Sequence, residues 1–329
     1  MLIDELRNSF ESKFEAEIMT QCSQIEPELK EMVRYHFGWH DEQAQRGKRL
    51  RPLILLLATA ALGSPIERGL NSAIALETFH NFTLVHDDIQ DKGEYRQGRL
   101  AMWKRYGMEQ AINTGDFMAY LAFKILNHHD LEISPELHLN LSRTFVSAGM
   151  DVMRGQHLDM LFEKESYVEL EAYLMMIKFK TARLFSLAFE LAGLLNGVSE
   201  ETVAYLRAIG VEIGVAFQIQ DDYLGIWGDS QLTGKSTSTD IMTKKKTYPL
   251  IFGNNTIPGI QELMKKAAPL DDLSVQEITS VLTAAKINDK TLTLAKTYKE
   301  NALSMFEKTF TKKSEAKTTL RVILDKMIK

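Results

Sequence analysis

Cysteine, glycine and proline are all scarce in this chain. A single cysteine, Cys22, among 329 residues cannot close an internal disulfide, which excludes a stapled secreted scaffold. The chain has only 19 Gly and 7 Pro to punctuate short strands or long loops, so the composition leans towards helix. Positive charge is not in excess either. With 39 Lys and Arg against 44 Asp and Glu the net charge is −5, which leaves no electrostatic footprint for nucleic acid. The longest nearly apolar run, Leu53 to Leu62, falls short of the ~20 residues of a membrane helix and reads as a buried helix, so no membrane span is expected. The start Met1-Leu2-Ile3-Asp4-Glu5 has neither a basic n-region nor an apolar core, and the expected location is a reducing cytoplasm. No Pro-, Ser- or Gly-rich linker and no block repeat interrupts the chain, so one domain over residues 1–329 is expected.

What is present is helical periodicity almost throughout. Leu70, Ala73, Ile74, Phe79, Phe82 and Val85 belong to a helix apolar nearly all round. Similar helices are predicted over Thr114 to Leu126, Tyr173 to Leu195, Val203 to Tyr223 and Leu292 to Phe310, with breaks at Pro135, Gly197, Gly234 and Pro258. A bundle of such helices can enclose a cavity, and polar side chains projecting inward would form a site at its mouth.

Two acidic interruptions of apolar helices stand out. In the first, His86-Asp87-Asp88-Ile89-Gln90-Asp91, Asp91 lies i+4 from Asp87 and i+3 from Asp88, so the carboxylates share a helix face. Like charges at that spacing repel unless a cation sits among them. Oxygen ligands without Cys or Glu-x-x-His favour Mg²⁺ over zinc; a solvated acidic helix end is the plainer alternative. An EF-hand is excluded, because its sixth and twelfth positions would be Lys92 and Gly98. The second, Phe217-Gln218-Ile219-Gln220-Asp221-Asp222, places an aspartate pair deep in another apolar helix, followed by Asp229, Lys235, Asp240 and Lys244-Lys245-Lys246. Cations stand beside apolar segments at Lys48, Arg49, Arg51, Arg96 and Lys180; each alone reads most simply as solvated or snorkelling.

Taken together these residues resemble the trans-polyprenyl diphosphate synthases, from Gly47 to about Pro249. The pattern comprises Gly-Lys-x-x-Arg at Gly47 to Arg51, the aspartates Asp87, Asp88 and Asp91, and Arg-x-Gly at Arg96 to Gly98. It continues with Gly-Gln-x-x-Asp at Gly155 to Asp159, Lys180-Thr181, Phe-Gln-x-x-Asp-Asp from Phe217, and Gly-Lys at Lys235 followed by Asp240 and the lysine run. The resemblance implies an all-α isoprenoid synthase bundle of long helices around a central cavity. Its two aspartate motifs would face each other and bind Mg²⁺, three ions per site when diphosphate is bound. It implies Asp87, Asp91 and Asp221 as direct metal ligands, with Asp88 and Asp222 supporting them. Gln218 would lie beside the polyphosphate, and Arg96, Lys180, Thr181, Lys235 and Lys245 would hold an allylic diphosphate. Lys48, Arg51 and His80 would hold isopentenyl diphosphate, with Gln97 at the position where the family often has a second arginine. A homodimer is also implied.

The chain departs from the family pattern at three places: Gly225 replaces a third aspartate, Gln97 replaces that arginine, and Leu100-Ala101 replaces Pro-Thr. Product length in the family is limited by bulky residues below the first motif. Here Phe82 lies five before Asp87, Thr83 four before and Phe79 a further turn down, with no two-residue insertion. This resembles short- to medium-chain enzymes making geranylgeranyl (C20) or farnesyl (C15) diphosphate. A terpene cyclase needs no second diphosphate site, and a noncatalytic partner subunit would be expected to lose the metal motifs; both remain as alternatives. His36 and His40, at i, i+4, are read as helix surface; His128-His129-Asp130 reads as a helix end, and the lysines from Lys312 on as solvated.

Overall fold

The computed structural model describes residues 3–41, 43–128, 133–228, 239–266 and 268–328. It is helical almost throughout, and among the described residues the only sheet is a two-stranded hairpin. Two compact units are distinguished, and the family-like motifs divide between them. The first comprises Met1–Thr144, Ala188–Ser199 and Lys312–Leu320; the second comprises Phe145–Leu187, Glu200–Thr311 and Arg321–Lys329.

In the first unit, α1 (Ile3–Gln21) and α2 (Pro27–Phe37) precede α3 (Leu50–Leu62) and α4 (Leu70–Gln90). Pro27 sits in the first turn of α2, where its missing N–H costs nothing, and Gly38 ends the helix at φ 77° with its N–H on the Tyr35 carbonyl. The apolar run of α3 is buried from Pro52 to Thr59, so burial on every side, worth about 1.5–3 kcal/mol per large aliphatic side chain, holds that helix. β1 (Tyr95–Arg96) and β2 (Arg99–Leu100) form the hairpin, followed by α5 (Met102–Tyr106) and α6 (Met108–Leu126). Gln97 and Gly98 both have positive φ, the conformation of a two-residue type I′ turn, which places Arg96 directly opposite Arg99. α4 packs lengthwise on α6, burying Phe79, Phe82 and Val85.

Helices α7 (Pro135–Glu163) and α9 (Arg183–Leu195) contribute residues to both units. The breaks predicted at Pro135 and Pro258 are present, each proline opening the helix that follows the break, the position where proline is tolerated. The helix predicted over Tyr173 to Leu195 is interrupted: α8 (Leu170–Ile177) and α9 are joined by a π-helical turn at Lys178–Ala182. α10 (Glu200–Trp227) packs on that turn and along the helix Ile287–Thr309. By length and composition α10 could cross a membrane, but half of its apolar window is buried inside the protein, as befits a core helix. The rest of the second unit packs Ile226, Ile241, Leu250, Ile260, Ile278 and Leu282 into one cluster. Gly234, predicted as a break, and Asp229 and Lys235 lie outside the described residues.

Candidate active site

The first aspartate cluster closes α4. Asp91 continues the helical geometry, its N–H on the Asp87 carbonyl at 2.8 Å, so Asp87 and Asp91 stand one turn apart on one face. Asp91 is exposed and Asp87 partly so, whereas Asp88 is buried. Arg96 grips Asp88 with both prongs of its guanidinium, Nε to Oδ2 at 2.7 Å and Nη2 to Oδ1 at 2.6 Å, and approaches Asp87 at 4.0 Å. Burial pushes the Asp88 pKa up against the pull of Arg96. The neighbours therefore differ in role: Asp88 fastens the hairpin to the helix, Asp91 is exposed, and Asp87 stands half-buried on the same face as Asp91.

Seven residues before Asp87, His80 receives a hydrogen bond from Arg51 Nη1 on its Nε2 at 3.1 Å, so two of the residues predicted to hold isopentenyl diphosphate are in contact. The accepting nitrogen must be unprotonated. Burial, then the charge of Arg51, holds the His80 pKa well below its ordinary value, so His80 is neutral. Arg51 itself is lowered to about 10 by burial. Lys48 is exposed on the loop before α3. Arg49, between them, is not a substrate residue. It is buried and bonded to Glu11 at 2.8 and 3.1 Å and to Glu77 at 2.8 Å, tying the Gly47–Arg51 segment to α1 and α4. His36 corrects the sequence reading: it is buried, not on a helix surface, with Nε2 3.1 Å from Asn81 Oδ1 on α4. The inward face of α2 explains this, since Met32, Val33, Tyr35 and Phe37 are buried with it.

Near the first cluster, Phe79 and Phe82 meet edge to face at 4.7 Å between ring centres, and Phe79 also reaches Phe123 on α6 at 6.2 Å. Both are buried, and the Thr83 hydroxyl turns back onto the His80 carbonyl at 2.6 Å. The chain thus has two touching aromatics near the first cluster.

The second cluster repeats the division of the first. Asp221 is exposed; Asp222 is buried and accepts hydrogen bonds from the Tyr173 hydroxyl at 2.5 Å, the Tyr248 N–H at 2.8 Å and Gln218 Nε2 at 2.9 Å. Burial pushes the Asp222 carboxyl up to about 7 despite those donors. Gln218 in turn accepts from the Thr181 hydroxyl at 2.7 Å, which joins two of the predicted substrate residues. Lys180 is paired with Asp159. Sequence reading placed Asp159 in a motif without a role and passed over Tyr173 and Tyr248. A tyrosine whose hydroxyl finds a carboxylate on another helix leaves no signal in spacing.

Glycine at 155 has a specific cause: a Cβ there would lie 2.2 Å from the Lys180 nitrogen, so only glycine lets α7 touch the π turn. That turn carries both Lys180 and Thr181, two of the residues predicted to bind substrate. At Gly225 the space of the missing side chain is filled by Asp240, whose carboxylate would be 2.2 Å from an added Cβ. Lys245 is half-buried, its N–H on the Asp240 carbonyl at 2.8 Å.

The donor set suits Mg²⁺. Among the described residues no three acidic, His or Cys side chains converge into a ready cage. Mg²⁺ does not require one, since it keeps several waters and is held by one or two carboxylates plus substrate phosphate. Asp87 and Asp91 in the first unit and Asp221 in the second offer such carboxylates.

Comparison with known proteins gives the same outline. The Polyprenyl synthetase family model matches residues 26–285. The (2E,6E)-farnesyl diphosphate synthase of Mycobacterium bovis is 37% identical over 236 residues, 70% of this chain and 65% of its own, so the chain spans just under two thirds of that relative's length. The geranylfarnesyl diphosphate synthase of Aeropyrum pernix is 33% identical over 287 residues, 86% of this chain and 90% of its own. The crystal structure of geranylgeranyl pyrophosphate synthetase from Pyrococcus horikoshii Ot3 superposes with a TM-score of 0.87 at 29% identity, covering 99% of this chain and 97% of that one. With its motifs, its helices and this match across most of its length, the chain belongs to the polyprenyl synthetase family.

Proposed function

We propose that the protein is a head-to-tail trans-prenyltransferase that condenses isopentenyl diphosphate with an allylic diphosphate, and that its whole chain forms one catalytic domain. The observation that carries the reading is the division within each aspartate pair. Asp88 and Asp222 are buried and hydrogen-bonded, while Asp91 and Asp221 are exposed and Asp87 is half-buried on the same helix face as Asp91. Asp87, Asp91 and Asp221 would hold Mg²⁺, three ions per site when diphosphate is bound, and the metal would supply the charge neutralisation that a departing diphosphate needs. Arg96, Lys180, Thr181, Gln218, Lys235 and Lys245 bind the allylic diphosphate, and Lys48, Arg51, His80 and Gln97 orient isopentenyl diphosphate. The allylic C–O bond breaks, the terminal alkene carbon of isopentenyl diphosphate bonds to the allylic carbon, and a proton leaves for the departed diphosphate. Apolar walls exclude the water that would quench the allylic cation. No side chain is required as general base.

Phe79 and Phe82 limit the growing chain, and we assign the product to geranylgeranyl diphosphate, with farnesyl diphosphate next. The enzyme works as a homodimer. Exposed Leu139, Val146, Met153 and Met160 recur every seven residues along α7 with Met150 beside them, a seam suited to a second copy. With its one cysteine buried and reduced, it is assigned to the cytoplasm. The test is a product assay with Mg²⁺, isopentenyl diphosphate and each allylic primer, resolving chain length. Elongated all-trans diphosphate, reduced at least about a hundredfold in Asp87→Ala, is expected. No elongation by folded protein with any primer would return the cyclase or the noncatalytic subunit.

A further inference from the structure

The chain has glutamine at position 97, where the family pattern has a cation. We propose that Arg99, acting through Gln97, supplies that missing positive charge to the isopentenyl diphosphate subsite. The inference rests on the prenyltransferase reading above. Its geometry comes from the hairpin.

Arg96 and Arg99 are directly opposite across the type I′ turn, so their side chains leave the same face of the hairpin. Arg96 holds Asp88 with Nε and Nη2. Arg99 instead reaches the segment before α3, where Nη1 donates to the Gln45 carbonyl at 2.8 Å, and the end of α2, where Nη2 donates to the His36 carbonyl at 3.2 Å. Nη2 also donates to Gln97 Oε1 at 3.4 Å. All three partners are neutral. Among the described residues no carboxylate pairs with Arg99, whereas Arg49 beside it is bound to Glu11 and Glu77. Of these three arginines, Arg99 is therefore the one without a carboxylate partner among the described residues.

Gln97 relays its charge. Arginine only donates, so the oxygen of the Gln97 amide must face Arg99, and the NH₂ must face away. Gln97 Nε2 lies 3.5 Å from where a Cβ on Gly47 would stand, with Arg49 Nη1 3.2 Å from the same point, and the exposed Lys48 follows Gly47. The amide thus offers N–H donors at the Gly47-Lys48 loop, with a guanidinium behind its oxygen to polarise it. Together they do what a second arginine at position 97 does in one side chain. Arg99 is a positioning residue in this arrangement, not one that touches substrate.

The full-length protein is tested by steady-state kinetics, varying isopentenyl diphosphate and the allylic primer separately, and by calorimetric titration of isopentenyl diphosphate without turnover. Arg99→Gln is expected to weaken binding and raise KM for isopentenyl diphosphate roughly tenfold, the size of one lost charge-assisted contact, while KM for the primer moves less than about twofold. Gln97→Met keeps the backbone contacts of Arg99 and should show the same split, which covers the case of a poorly folded Arg99→Gln. The double variant Gln97→Arg/Arg99→Gln should recover affinity. Unchanged isopentenyl diphosphate binding in Gln97→Met, equal losses for both substrates, or no recovery in the double variant would overturn the inference with the prenyltransferase reading intact. A wild-type protein that neither binds nor elongates isopentenyl diphosphate would overturn both.

Discussion

Replacing Arg49 by methionine removes the one cation that two buried carboxylates share. The Arg49 side chain is 2% exposed, Glu77 5% and Glu11 12%, and three hydrogen bonds of 2.8 to 3.1 Å join them. Breaking a buried ion pair by deleting one partner costs about 3–5 kcal/mol, because the other charge stays buried without compensation. Each kcal/mol lowers Tm by about 2 °C in a chain larger than 200 residues, so Arg49→Met should melt roughly 6–10 °C lower. The origin of the loss can be checked by its sign reversal. Glu77→Gln should destabilise the protein while Arg49 is present and restore stability once Arg49 is methionine, since it then neutralises an orphaned charge. Calorimetric melting of the four proteins of the cycle at pH 7 measures this. If Glu77→Gln destabilised both backgrounds equally, the electrostatic account would be refuted, and Arg49 would act only by filling space against Phe14 and Phe37.

Acid should weaken the fold through His36, whose pKa burial and then the charge of Arg96 lower from 6.5 to about 3. A base depressed in the folded state contributes stability that is complete above about pH 6.5 and lost as pH falls towards 3, about 2 kcal/mol of it by pH 5. Urea unfolding at pH 7 and pH 5 should show a smaller difference in His36→Gln than in wild type, and an equal one would discount His36. Gly155→Ala must push α7 from the π turn; a loss of at least about 2 kcal/mol is expected, together with reduced turnover from displaced Lys180 and Thr181, and wild-type melting would contradict the close approach. Under the proposed function, Phe79→Ala/Phe82→Ala should shift the product towards longer chains by one or more five-carbon units in reverse-phase analysis. An unchanged product would remove these rings from the chain-length limit.

Much of this protein was legible in one dimension because its signals are local. Helical periodicity marked α3, α4, α6 and α10, since a stripe repeating every 3.6 residues has only one way to be buried. The spacing of Asp87 and Asp91 put two carboxylates on one face for the same reason. The family resemblance assigned Arg51 and His80 to one substrate, and their hydrogen bond to each other came only with the structure. What spacing could not express were choices between neighbours and contacts across helices. It did not say which aspartate of each pair would turn inward; Arg96 decided that for Asp88, and Tyr173, Tyr248 and Gln218 for Asp222. Nor did it say that Arg49 would be structural while Arg51 met His80, or that His36 would be buried. The helical periodicity of Tyr173 to Leu195 gave no sign of the π turn, against whose backbone α7 packs through Gly155. The sequence by itself determined which residue types stand at which helical positions. Only the tertiary structure decided which of them would be neutralised inside and which presented outside, because a charge takes its role from the partner that packing brings to it.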